Sequence, residues 1–351
     1  MRKIVIALAV LLLLIFPVRA TETDELKKAL PDEAAEYMPE TAETTDFWDA
    51  VRSILHGALG DSKEAVSEAL RLCAVLLGVM LLCALVKMSA GEQLSTAVAT
   101  AGALGLCAAC VGTFHSMLGL AVDTVEKMTD YHACLLPVLS SALAMQGSVS
   151  SSAALYSGTI LFSQLLMRLI TKLLVPLTYF FLAVATAEAA LDSDMLSELR
   201  EFIGWLISKS LRVLLYLFIA YLALTGVISG TADAAAVKAT KAAMSGMVPV
   251  VGSILSDASE SVLAGASLLK SSVGVFGMLA VLAVCILPFL RVGVHYLMLK
   301  ITSAVSGTVG LKAHVGLMKR FSAAMGYLLG MCGACGLMSL LSVVCFLRVT
   351  V

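Results

Sequence analysis

The sequence predicts an all-α fold, a polytopic transmembrane helical bundle, and three observations carry that prediction. Hydrophobic residues fill 60% of the 351 positions, charged residues only 14%, and the mean hydropathy is +0.96; a soluble core of this size would need more polar surface to cover it. Apolar runs recur that reach the ~20 residues needed to cross a hydrocarbon layer of ~30 Å. Charge is segregated along the chain: Thr21 to Ala69 holds thirteen Asp and Glu against four Lys and Arg, and the chain beyond it holds twelve against seventeen. The net charge of −1 conceals this asymmetry. A basic stripe is absent, as is an aromatic run on which bases would stack, which argues against nucleic acid as a partner.

Taken in order, residues 1–20 read as a signal peptide. Arg2 and Lys3 precede an apolar core from Ile4 to Phe16, and Val18, Arg19 and Ala20 close it with small residues at positions one and three from a cleavage point. An uncleaved anchor is the alternative. Residues 21–69 read as an acidic extracytoplasmic arm. Its first part, Thr21 to Thr45, contains Pro31 and Pro39 and few aliphatic residues, the composition of an exposed, partly disordered segment. From Asp46, Phe47, Val51, Ile54, Leu55, Ala58 and Leu59 recur at helical spacing, predicting an amphipathic helix with Trp48 near the interface.

Residues 70–351 then read as a multi-span transmembrane domain of about eight spans. Leu70 to Met88 and Thr96 to Val122 are the first two, followed by an acidic loop with Asp123, Glu126 and Asp130. Cys134 to Met145, with Pro137, is too short to cross and leads into the uncharged Gln146 to Ser152, which predicts a re-entrant half-helix with a polar tip. An ordinary span with a serine-rich hairpin is the alternative. Ala153 to Thr171 and Leu173 to Leu191 read as a hairpin turning at Arg168 and Lys172, before a second acidic loop with Glu188, Asp192, Asp194, Glu198 and Glu201. Ser210 to Ser229 spans next, and Thr231 to Ala243 reads as a surface helix. Met244 to Leu269 and Ser272 to Leu290 form a central pair, Arg291 to Arg320 a basic connection that includes helix through Lys300, and Ala323 to Leu347 the last span. Placing Lys87, Arg168, Lys172, Lys238, Lys241 and the basic connection in the cytoplasm leaves both acidic loops and both termini outside, as the positive-inside bias requires.

No catalytic constellation appears: there is no His-Glu-x-x-His, no Gly-x-Ser-x-Gly, no phosphate loop and no dinucleotide fingerprint. The expectation is therefore a protein that is not an enzyme and has no cofactor and no metal. His56, His115, His132, His295 and His314 are isolated from one another. Cys107-Ala-Ala-Cys110 and Cys332-Gly-Ala-Cys335 have redox or metal-ligand spacing, yet each lies in a small-residue helix, where free Cys serves close packing. The sharpest polar feature is the central pair. Asp257 and Glu260 interrupt the apolar run Met244 to Leu269, near Pro249 and Gly252, with Lys270 beyond it and Pro288 in the adjoining helix. A carboxylate in hydrocarbon costs several kcal/mol, so these two face protein, water or an interface. Two readings stay open: they line an aqueous path, or the segment lies on the membrane surface and contacts partners.

The stretch KATKAAMSGMVPVVGSILSDASESVLAGASLLKSSVGVFG (Lys238 to Gly277), followed by CILPFLR, resembles the stage III sporulation protein AE family, multi-pass membrane proteins of endospore-forming bacteria. The likeness rests on Pro249-Val-Val-Gly252, Asp257, Glu260, Lys270 and Pro288, and extends less distinctively over most of the chain. It implies a non-catalytic membrane component of the secretion-like channel, or feeding tube, that links mother cell and forespore during endospore development. The implied location is the mother-cell membrane surrounding the forespore, with the acidic arm in the intermembrane space. Implied partners are other membrane and intermembrane-space proteins of that apparatus and its cytoplasmic ATPase, together with the lipid bilayer. The competing class is an autonomous secondary transporter or permease that uses Asp257 and Glu260 as ion-coupling carboxylates.

Overall fold

The computed structural model describes residues 30–38, 47–89, 92–144, 149–191, 193–224, 272–309 and 312–348, and among them no strand occurs. A short turn of helix, α1 (Asp32–Ala35), precedes α2 (Phe47–Ser89) and α3 (Glu92–Ala144). Then follow α4 (Val149–Leu169), a π-helical turn (Ile170–Leu174), α5 (Val175–Leu191), α6 (Asp194–Leu224), α7 (Ser272–Val309) and α8 (Lys312–Arg348). Six helices among the described residues are long and apolar enough to cross a membrane: Phe47–Ser89, Ala97–Leu135, Leu161–Leu191, Asp194–Leu222, Val275–Thr308 and His314–Val344.

The core is a four-helix unit in which α2 and α7 run one way and α3 and α8 the other. Gly102 of α3 meets Cys83 of α2 and His314 of α8 at one end, while Leu135 of α3 packs on Gly277 of α7 at the other. Small residues set these contacts: a Cβ on Gly102 would lie 2.6 Å from both the Cys83 sulfur and the His314 ring, so the backbones approach as only glycine allows. His314 is buried and donates from Nε2 to the Ala99 carbonyl at 2.9 Å; His132 donates likewise to the Ser339 carbonyl at 3.2 Å. Both rings therefore tie α3 to α8. On α2, Phe47, Ala58, Ala69 and Met80 recur every eleven residues and are all buried, as are Ile54, Ala65 and Leu76. A repeat of about 3.67 residues per turn keeps one face inward along the whole helix without strong supercoiling.

Several expectations are corrected. The acidic loop after Val122 is helix: Asp123, Glu126 and Asp130 lie on the exposed face of α3, with Lys127 bridging Asp123 at 2.9 Å, while Val125, Met128, Tyr131 and His132 pack inward. Cys134 to Ala144 continues the same helix and is not a re-entrant element. Ala153 to Thr171 and Leu173 to Leu191 belong to one continuous helix. Arg168 and Lys172, four residues apart, are both exposed on its side. The π turn has a local cause in Pro176, whose ring would clash with the Lys172 carbonyl in regular α geometry. The Val175 N–H bonds instead to the Ile170 carbonyl, five residues back. Glu188, Glu198 and Glu201 are helical as well, and in the basic connection the helix expected through Lys300 runs on to Val309 and resumes at Lys312. Finally, the described part of the arm is docked: Leu30, Ala34 and Tyr37 are buried against α2, α3 and α7.

Candidate functional site

Of the residues singled out in the sequence, Pro249, Gly252, Asp257, Glu260 and Lys270 lie outside the described residues. Pro288 is described and buried inside α7, where its ring removes the N–H that would bond the Val284 carbonyl. It lines a cavity of about 590 Å³ with Tyr37, Asp61, Leu120, Asp123 and Arg291. The Tyr37 hydroxyl donates to Asp61, and the ring covers Gly57, where a Cβ would lie 2.8 Å from it. Burial first, and then the hydrogen bond to Asp61, pushes the Tyr37 hydroxyl up to about 12. The docked arm thus roofs a polar recess beside the helix-interrupting proline.

The second polar centre joins α5, α6 and α8, and the sequence reading did not assemble it. Glu188, near the end of α5, has a side chain only 7% exposed. Its Oε2 accepts from Arg200 Nε at 2.7 Å, and its Oε1 accepts from Arg320 Nη2 of α8. Arg200 reaches further, to Ser197 Oγ at 3.3 Å and Glu201 Oε1 at 3.2 Å. One carboxylate therefore holds two guanidinium groups from different helices, pinning the α5–α6 hairpin to the buried helix α8. The signal available in the sequence was Glu188 itself, a carboxylate inside an apolar run.

Beside this cluster lies an open cavity of about 480 Å³, lined by Arg200, Arg212, Lys319, Arg320, Trp205 and Tyr327, among others. Four cations face it. Among the described residues, Glu188 and Glu201 are the carboxylates paired with them. Tyr327 forms the wall, edge-on to Phe181 at 5.3 Å and hydrogen-bonded with Ser208. Gly204 makes room for it, since a Cβ there would lie 2.7 Å from the Tyr327 hydroxyl. Arg212 reaches the cavity from deeper in α6, and its Nε is buried without a hydrogen-bond partner.

The cysteine pairs have another role. Cys107, Cys110, Cys332 and Cys335 are buried and free, with the Cys107 thiol 3.5 Å from Thr186 Oγ1 of α5, consistent with close helix contact. Among the described residues, no group of three or more His, Cys, Asp or Glu side chains is placed to hold a metal ion.

The family model described as Stage III sporulation protein AE matches residues 32–350. The chain belongs to that family. The stage III sporulation protein AE of Bacillus subtilis (strain 168) is 21% identical over 200 residues, which cover 57% of this chain and 50% of the relative. The alignment thus spans half the length of that relative. No solved structure matches. Membership in the stage III sporulation protein AE family ties the chain to sporulation, and the six apolar helices make it a multi-pass membrane protein. Nearly the whole bundle, from α1 to the end of α8, falls within the matched region, so the Glu188 cluster and the arm-docking recess both belong to the family domain.

Proposed function

We propose that this protein is a non-catalytic membrane component of the secretion-like channel that links mother cell and forespore. In this reading it sits in the mother-cell membrane facing the forespore, its acidic arm lies in the intermembrane space, and it works only with partner membrane proteins and the apparatus ATPase. Family membership supports the setting. The observation that favours an assembly component over an autonomous transporter is the stagger of the exposed apolar surface. Cys83 of α2 lies beside Gly102 of α3, and Met167 of α4 accepts from Thr129 of α3 at 3.4 Å. These pairings set the level of α2 and α4 along α3. On α2 the exposed apolar residues run to Met88, and on α4 to Leu161. Measured along α3, the two ends lie about 57 Å apart at ~1.5 Å per residue. Even at a tilt of 40°, the steep end of the usual range, that projects to about 44 Å, well beyond a hydrocarbon layer of ~30 Å. One flat bilayer cannot cover both ends, and large exposed apolar patches outside it mark protein contacts.

Photoreactive residues at Leu85 and Leu165 in sporulating cells test this. The expected result is a protein adduct to another membrane component at one position or both. Lipid adducts alone at both positions, together with solute flux by the purified protein in vesicles that is lost on Asp257→Asn, would replace this reading with the transporter.

A further inference from the structure

We infer that the cavity between α5, α6 and α8 is a binding site for the phosphate-bearing headgroup of an anionic phospholipid. Three features of its construction point there. First, charge: Arg200, Arg212, Lys319 and Arg320 line the cavity, and among the described residues the carboxylates paired with them are Glu188 and Glu201, so cations outnumber carboxylates in a partly buried place. Glu188 accepts from both Arg200 and Arg320 and so fixes the orientation of two of these cations at the wall of the cavity. The buried Nε of Arg212, with no hydrogen-bond partner, is one donor that an external acceptor would satisfy.

Second, the cavity is an open recess of about 480 Å³ on the side of the bundle, large enough for a headgroup and not enclosed like a solute pocket. Third, its surroundings match an interface. Trp205 lines it and is 57% exposed, stacked on Phe202 at 6.1 Å, the amphipathic aromatic pairing that marks headgroup depth. Further along the same helix, Val213 and Leu217 are exposed. Trp205 to Leu217 covers about 18 Å of rise, close to half the thickness of a bilayer core. A phosphate seated among the guanidinium groups would therefore have acyl chains lying along an apolar helix face. Arg212 then lies below the headgroup level and extends its long side chain towards it, as interfacial arginines do.

The same phosphate chemistry is offered by inorganic phosphate, so the test separates the two sources. The full-length protein, delipidated in a neutral detergent, is titrated with phosphatidylglycerol, with phosphatidylcholine and with inorganic phosphate, and binding is read by native mass spectrometry and by the shift of the thermal unfolding midpoint. The expected result is saturable binding of phosphatidylglycerol with an upward midpoint shift, and neither effect with phosphatidylcholine. Arg212→Gln with Lys319→Gln is expected to weaken phosphatidylglycerol binding about tenfold or more, whereas Lys87→Gln, which removes an exposed cation of α2, a helix that does not line the cavity, stays within about twofold. Lys319→Gln alone, at the exposed rim, is expected to fold and to weaken binding several-fold, so the test stands even if the double variant does not fold. Equal binding of the two lipids, unchanged affinity in Lys319→Gln, or the full midpoint shift with inorganic phosphate alone would overturn the proposal.

Discussion

Glu188 is held by two guanidinium groups in a site that excludes most water, so its removal is costly for a definite reason. Glu188→Gln removes the buried carboxylate that Arg200 and Arg320 share, and breaking a buried ion network from one side costs about 3–5 kcal/mol. The expected outcome is a markedly lower unfolding midpoint in detergent and a loosened α5–α6 hairpin, seen as faster proteolysis near Ser193. Glu201→Gln, which removes an exposed carboxylate, should cost less than about 1 kcal/mol, and comparing the two separates burial from charge. Tyr37 gives a pH-dependent counterpart. Its hydroxyl is neutral in the docked state and pushed up to about 12 from an ordinary 10.0. A raised pKa means that docking is fully stabilised below pH 10 and weakens as the pH rises from there towards 12. A nitroxide attached through Ala35→Cys should become more mobile over that window, and Tyr37→Phe should abolish the pH dependence while loosening the arm by about 1 kcal/mol at neutral pH.

At the scale of elements, helix identity was legible from periodicity and apolar length, and the connections were not. Asp123, Glu126 and Asp130 were read as a loop because charge was equated with a break, yet their spacing of three and four residues places them on one helical face, where they cost nothing. Arg168 and Lys172 misled in the same way, and the positive-inside argument built on them inherited the error. The arm was read as exposed from its acidity, its two prolines and its few aliphatic residues; Leu30, Ala34 and Tyr37 are too few to show in composition but enough to dock it. Small residues were read correctly as packing devices, without partners being assignable. Gly102 now has them. Gly102→Ala drives a Cβ into His314, which its bond to Ala99 holds in place, and into Cys83, so a destabilisation of about 1–3 kcal/mol is expected. The cost should shrink when His314→Ala is added, because the two changes share one site. Thermal midpoints of the two single variants and the double variant check this; additive effects would mean that α2, α3 and α8 do not meet there as closely as the structure shows.

For the whole molecule, the class of fold was open to a sequence reading and the depth of each helix was not. Hydropathy locates apolar segments along a chain, whereas the level at which they emerge depends on pairings such as Cys83 with Gly102 and Phe162 with Tyr221, which no local pattern encodes. It also cannot separate lipid-facing from protein-facing surface: α8 is less apolar than α2 yet is almost wholly enclosed by its neighbours, while the apolar stretch of α2 is largely exposed. The stagger that follows has a direct physical consequence for the isolated protein. Nitroxides at Leu85→Cys and Leu161→Cys lie about 52 Å apart along α3, or about 40 Å at a tilt of 40°. In a nanodisc holding this protein alone, one of them is expected to collide preferentially with dissolved oxygen, as a site in hydrocarbon does, and the other with a water-soluble nickel chelate. Binding of a partner over the wet patch should then suppress the nickel collisions there without raising those with oxygen, because protein and not lipid covers it. Two oxygen-rich sites in the isolated protein would mean that the bilayer or the bundle deforms to bring both levels into hydrocarbon, and the argument for a protein-covered face would fall with it.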